Sequence, residues 1–206
     1  RSVRIGSGNR ALLTWAASRV ARYIANASYT YEFWVRAGVH ADRVTGIPNA
    51  ISEAVEPPLS VRTVFPLPTD TAAVLACVGN LAEGKGHRFL LEGFSQLLQR
   101  SPRTTLLIVG DGPLRGEIEA YARAIGIRAH VVFTGYDTRT AAIIAGCDGL
   151  VLPSETETFG RVLLEAMRAR VPIVATRVGG IPEVVHDNVH ALLVPYGDRG
   201  ALAAGG

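Results

Sequence analysis

The sequence predicts an α/β protein built on a parallel β-sheet with helices on both faces. Three observations carry this expectation. From Thr71 onward, short continuous apolar runs alternate with amphipathic segments of helical period, the pattern of strands buried on both faces and joined by crossover helices. Glycines recur just past the apolar runs, at Gly79, Gly110, Gly135 and Gly179, where a strand has to turn into a helix. A composition of 48% hydrophobic and 19% charged residues over 206 positions supports a full core.

The first 50 residues read as helix, strand, helix and strand. "NRALLTWAASRVARYI" has apolar residues at helical spacing, "YIANAS" is short and strand-like, "YTYEFWVRAG" is a helix stopped by Gly38, and "RVTGIPNA" runs into a Pro-Asn turn. Residues 51–70 hold four prolines and no sustained period, as in a linker or domain boundary. The expected organisation is therefore a C-terminal remnant of a first domain over 1–52, a linker over 53–70 and a second domain over 71–206.

In the second domain "AAVLACVGN" is a buried strand, and "HRFLLEGFSQLLQR" is an amphipathic helix with Phe89, Leu90, Phe94, Leu97 and Leu98 inward. "TTLLIVGDG" is the next strand, and "PLRGEIEAYARAIG" is a helix with Pro113 in its first turn and Gly126 at its stop. "AHVVFTG", "DGLVLPS", "VPIVATR" and "HALLVPYG" are further strands, separated by helices after Thr138, Phe159 and Ile181. The chain opens without Met and ends on "ALAAGG", as expected of a piece of a longer protein, truncated at the end of this domain.

Several function classes recede at once. Charged or glycine residues interrupt every apolar run well short of the ~20 residues that span a bilayer. Cys77 and Cys147, each in an apolar run, read as small buried hydrophobes in a reducing compartment, and two cysteines without a histidine cluster do not make a zinc site. A net charge of +3 is too small to argue for nucleic acid. The charge is uneven, however: residues 1–43 carry seven arginines against Glu32 and Asp42. That segment fits a solvated helix face. Its interleaved aromatics (Trp15, Tyr23, Tyr29, Tyr31, Phe33, Trp34) also fit peripheral contact with an anionic membrane surface.

Ligands of open parallel sheets bind outside the carboxyl ends of the strands. The residues to weigh there are Gly79-Asn80 through Lys85, the turns at 110–112 and 135–136, the stretch 153–160, and 178–180. Lys85 is the only lysine beside twenty arginines, which points to a compact point charge being wanted there. Glu157 and Glu165 stand eight positions apart across a loop-to-helix junction; eight residues of helix rise ~12 Å. A cation on one loop and paired carboxylates on another suit an anionic ligand that also carries hydroxyls. His87 and His130 read as structural rather than as general bases.

Taken in order, "VGNLAEGKGHRFLLEGF", "LLIVGDGPLRGEIEAYARAIGI", "VVFTGY", "DGLVLPSETETFGRVLLEAM" and "VPIVATRVGGIPEVV" resemble the nucleotide-sugar-binding domain of the retaining group 1 (family 4) glycosyltransferases of GT-B fold. "ANASYTYEFWVRAGVHADRVTGIPNAI" resembles the end of that family's first domain, so the resemblance covers residues 20–198. It implies a Rossmann-like donor-binding half after a fragment of a first Rossmann-like domain, in an enzyme that transfers a hexose from a nucleotide-diphosphate sugar (UDP or GDP) in polysaccharide or glycolipid biosynthesis. It further implies no cofactor and no metal, a sugar, lipid or small-molecule acceptor, and a cytoplasmic location, soluble or peripheral at the inner membrane surface.

Residue by residue, Glu157 and Glu165 match the family's paired glutamates. The resemblance implies that Glu157 holds the transferred sugar's hydroxyls and Glu165 the ribose hydroxyls. Lys85 matches its phosphate-binding lysine, Phe159 and Gly160 the main chain that meets the diphosphate, and Val132 the strand whose main chain reads the base. Asn80 stands where the family usually has an arginine, which leaves one positive charge missing; Arg88, one turn past Lys85, is a substitute without a motif behind it. Ala50 and His190-Ala191 are milder departures that touch turn geometry. The resemblance implies that the fragment is inactive alone.

Two other readings accompany this one. A nucleotide-sugar-binding module without catalysis would bind donor and turn nothing over, and a nucleotide-sugar epimerase would release a changed sugar with no acceptor. A phosphorylase would need a lysine for pyridoxal phosphate, and Lys85 is already assigned. A fold analogy to receiver-like or flavin-binding sheets leaves the glutamate spacing unexplained.

Overall fold

A computed structural model describes residues 19–52 and 57–205, and these form two compact units divided between Asn49 and Ala50. In the first unit, β1 (Tyr23–Ala25) pairs in parallel with β2 (Val44–Gly46). The helix α1 (Ser28–Arg36) and a 3₁₀ turn (Ala41–Arg43) lie between them. Gly38 has φ +96 and ends α1 as expected. The first helix expected from the sequence lies mostly outside the described residues; Tyr23 and Ile24, at its end, belong to β1.

This unit's small core is Ala25, Val39 and Val44, with Tyr23, Tyr31 and Trp34 packed on it. Three of the aromatics that suggested a membrane surface thus face inward. Arg36 pairs with Glu32 at 2.6 Å on α1, and the Arg22 guanidinium donates to the Asp42 carbonyl. None of the described helices is long and apolar enough to cross a membrane.

The second unit holds one six-stranded, all-parallel sheet. Its strands are β3 (Ala73–Val78), β4 (Thr104–Val109), β5 (Val131–Gly135), β6 (Gly149–Leu152), β7 (Ile173–Thr176) and β8 (Leu192–Val194). Their spatial order is β5-β4-β3-β6-β7-β8. The chain builds outward from β3 to one edge, then returns to build outward to the other. The switch point falls between β3 and β6, where open sheets of this order bind their ligands.

The helices are α3 (His87–Leu98), α4 (Arg115–Ala124), α5 (Thr140–Ala145), α6 (Arg161–Ala169), α7 (Ile181–Val184) and α8 (Arg199–Gly205). Side chains along β3 alternate between two cores, as the pleat requires. Val74, Ala76 and Val78 join α5, α6 and α7 on one face. Cys77 joins α3, α4 and α8 on the other. On α3 the inward residues are those expected, together with His87 and Leu91, while Leu98 is only partly buried. Cys77 and Cys147 are buried free thiols, pushed up to about 12 by burial and so protonated.

The proline-rich stretch is less of a spacer than its composition suggests. Residues 61–64 form a short helix, α2 (Val61–Val64), and Val61 is buried in the sheet's core. The Leu59 N–H donates to the Ala142 carbonyl at 2.8 Å, and Arg62 holds Asp148 at 3.2 Å. Asp148 in turn accepts the Val74 N–H at 2.7 Å. Prolines break the helical period, so the sequence pattern is silent, yet Leu59 and Val61 supply apolar surface that the sheet buries.

Candidate functional site

Three loops meet at the switch point, after β3 (79–86), β6 (153–160) and β7 (177–180), and they are joined through their main chains. The Gly84 carbonyl accepts the N–H groups of Glu155 and Thr156 at 2.8 and 3.1 Å. Gly86, at φ +70, lies so close to the β6 loop that a Cβ would stand 1.9 Å from the Pro153 carbonyl oxygen. Gly179, at φ +54, faces Glu157 in the same way, with its notional Cβ 1.8 Å from the Glu157 carbonyl. The Gly180 N–H then donates to that carbonyl at 3.0 Å. At both positions left-handed backbone and the lack of room independently demand glycine.

This interlock brings together two side chains from distant parts of the chain. The Lys85 ammonium donates to Glu157 Oε2 at 2.8 Å, an ion pair between the β3 and β6 loops. Glu157 Oε1 accepts the Thr158 N–H at 3.0 Å. Asn80, at the end of β3, is exposed and lies against Gly112 of the neighbouring loop.

Glu165 is held differently. It sits on the inner side of α6, 8% exposed, and Oε2 accepts the Thr140 hydroxyl at 3.1 Å. The Arg161 guanidinium, one helical turn earlier, stands 4.0 Å from Oε1, beyond hydrogen-bond distance. Phe159 and Gly160 are buried. Gly160 caps α6 in the left-handed region at φ +79, so the helix proper begins at Arg161. The ~12 Å helical rise expected between the two glutamates therefore does not hold. Residues 157–160 lie outside the helix, because the chain cannot stay right-handed through Gly160. As at any helix start, the first N–H groups of α6 have no intrahelical acceptor.

Val132 lies on β5, the edge strand, paired with Leu107 and partly buried against the α5–α6 side of the core. Two strands separate it from β6, so it is not part of the Lys85–Glu157 cluster. Arg88 does not substitute for a charge at position 80. Its guanidinium stacks 4.2 Å over the Tyr121 ring and approaches Glu92 at 3.6 Å, on the α3–α4 surface.

His87 opens α3 directly after the lysine loop, 4% exposed, and its Nδ1 has no hydrogen-bond partner among the described residues. Burial first, then the neighbouring Lys85 charge, push its imidazole down to about 4, so it is neutral. His130 ends a 3₁₀ turn at the opposite end of β5 from the site. Neither is placed as a base.

The sequence pattern did not single out Thr140 or Arg161. Arg161 was legible in principle, four positions before Glu165 on one helix. Thr140 lies 25 residues from Glu165, and only the packing of α5 on α6 joins them. Other arginines around these loops are committed to carboxylates: Arg115 to Asp111 and Glu119, Arg139 to Asp137, and Arg177 to Asp187.

Comparison with known proteins shows the family and the fold. The profile of the family described as "Glycosyl transferases group 1" matches residues 72–205. The 2-deoxystreptamine glucosyltransferase of Streptomyces kanamyceticus is 32% identical over 166 residues, 75% of this chain and 43% of that protein. The GDP-mannose-dependent alpha-(1-6)-phosphatidylinositol monomannoside mannosyltransferase of Mycolicibacterium smegmatis is 36% identical over 138 residues, 63% of this chain and 36% of that protein. The chain thus spans less than half the length of these curated relatives.

Among solved structures, Anabaena HepE in complex with UDP and glucose superposes with a TM-score of 0.79 at 24% identity, over 97% of this chain and 56% of that one. Sucrose-phosphate synthase from Thermosynechococcus elongatus superposes with a TM-score of 0.79 at 25% identity, over 100% of this chain and 53% of that one. With its six-stranded parallel sheet, its switch-point loops and the matched profile, the chain belongs to the group 1 glycosyltransferases of GT-B fold.

Proposed function

We propose that this chain is the donor side of a retaining glycosyltransferase: it binds a nucleotide-diphosphate sugar at the switch point, and the whole enzyme transfers the sugar to an acceptor. The observation that carries this reading is the meeting of Lys85 with Glu157 across the β3 and β6 loops, at 2.8 Å, beside the start of the helix that buries Glu165. A cation, a helix start and two acceptor-only carboxylates match in kind the diphosphate and the two sets of hydroxyls of one ligand.

In this reading the Lys85 ammonium and the first N–H groups of α6, near Phe159 and Gly160, hold the diphosphate and stabilise the charge that grows on it as the glycosidic bond breaks. Glu157 accepts from hydroxyls of the transferred sugar. Glu165 accepts from the ribose, with the Thr140 hydroxyl orienting its carboxylate. Asn80 donates a hydrogen bond but no charge. The second cation is Arg161, at the first position of α6, whose guanidinium stands 4.0 Å from Glu165 and within hydrogen-bond distance of no carboxylate among the described residues. No metal is needed, because protein cations neutralise the leaving group.

The relatives differ in the nucleotide and sugar that their names state, so the base and sugar are read by direct binding. Calorimetric titration of this chain with UDP, GDP and ADP and their sugar conjugates should show saturable binding of one nucleotide. Lys85→Ala should weaken it at least tenfold. Absence of binding by all three at millimolar concentration overturns the reading.

A further inference from the structure

The two partners of the Lys85–Glu157 pair have unequal freedom. Glu157 is fixed from behind: Gly179 packs on its carbonyl, the Gly180 N–H holds that carbonyl, and Oε1 takes the Thr158 N–H. Its side chain is only 12% exposed. Lys85 has a four-carbon stem, a side chain 35% exposed and glycines on both sides in sequence. In the site as it stands, the ammonium that would neutralise a diphosphate is already neutralised by the protein.

We infer that Glu157, besides any contact with sugar, is the internal counter-ion of Lys85: it competes with the nucleotide's diphosphate for the ammonium. The inference rests on the reading of this site as a nucleotide-sugar site. The diphosphate draws Lys85 away from a carboxylate that stays in place, and binding is weakened by the strength of the ion pair that must open. When a nucleoside diphosphate leaves, the same carboxylate recaptures the ammonium. A site with a bare lysine would bind its product more tightly and release it more slowly. Glu165 has no such role: its hydrogen-bond partner is the neutral Thr140 hydroxyl, and the Arg161 guanidinium stands off at 4.0 Å.

The consequence runs against the usual effect of removing a site residue. Glu157→Gln keeps the shape of the side chain and removes its charge, so the nucleoside diphosphate should bind more tightly, by roughly three- to tenfold, the equivalent of about 1 kcal/mol. Simple repulsion between carboxylate and phosphate would also be relieved by this change, and a double-mutant cycle separates the two. UDP, GDP and ADP are titrated into the parent chain, Glu157→Gln, Lys85→Ala and the double variant, with uridine, guanosine and adenosine as phosphate-free probes. Thermal unfolding of each variant reports whether the fold is kept, and Glu157→Ala serves if the Gln variant is unstable.

The counter-ion role predicts that the gain from Glu157→Gln vanishes when Lys85 is absent and that nucleoside binding does not change. A gain of equal size in the Lys85→Ala background overturns it in favour of repulsion. No gain, or a loss, in the Glu157→Gln chain overturns it while Lys85→Ala still weakens binding. If Lys85→Ala leaves nucleoside diphosphate affinity unchanged, the site reading itself fails, and this inference with it.

Discussion

The loop after β6 and the helix that follows it each carry one glutamate, and the fold holds the two in opposite ways. In the loop, two glycine-dependent main-chain contacts fix the backbone, and Glu157 meets a full positive charge on a flexible stem. In the helix, Glu165 is buried by packing and meets a neutral hydroxyl. A charge partner can be exchanged for another anion, whereas a hydroxyl orients a carboxylate without neutralising it. The loop is thus built to rearrange its electrostatics around a fixed backbone, and the helix to present a ready acceptor.

The comparison breaks most completely if the loop's backbone is moved. Gly179→Ala places a Cβ against the Glu157 carbonyl at a left-handed φ, and should cost about 3 kcal/mol or more in a denaturant titration. Nucleotide binding should fall with it. Gly116→Ala, where nothing stands within 4 Å and the helix accepts alanine, should be neutral or slightly stabilising. Equal effects at the two positions would show that the interlock does not hold the loop.

Acid should strain the start of α3, beside the lysine loop. His87 is held neutral down to about 4 against an ordinary 6.5. Between those values the unfolded chain takes up a proton that the native state refuses, so His87 subtracts stability as pH falls from 6.5 towards 4. The loss should reach on the order of 2–3 kcal/mol, measured as the pH dependence of the urea midpoint. His87→Gln should remove this part of the acid limb and leave the limb due to carboxylates. An unchanged profile would mean that the imidazole is charged in the native state.

The smallest effects separate the helix residues from one another. Glu165→Ala should weaken nucleotide and nucleoside alike by about tenfold, because it is read as a ribose contact. Arg161→Ala should weaken only the phosphorylated ligand, by about threefold, with nucleoside affinity unchanged. A loss of nucleoside affinity in the Arg161 variant would move that residue to the ribose and leave Asn80 without a substitute.

Much of this was legible in one dimension. Continuous apolar strands, amphipathic helices and glycine turns specify a parallel sheet with two covered faces, because each is a local consequence of burial and backbone sterics. Residue types also pointed to the candidate site: one lysine among twenty arginines, and two glutamates about a glycine that starts a helix. Other features lay beyond sequence pattern. The helical rise between the glutamates failed at Gly160, whose left-handed φ keeps residues 157–160 out of the helix. Arg88 went to Tyr121, and the proline-rich stretch lent Val61 to the core. By itself the sequence determined which elements form and which side chains could do chemistry, since propensity and periodicity are local. Only the tertiary structure decided that Lys85 and Glu157 are each other's partners across 72 residues, and that Thr140 orients Glu165. Such pairings depend on strand order and on loops meeting main chain to main chain, which no local pattern records.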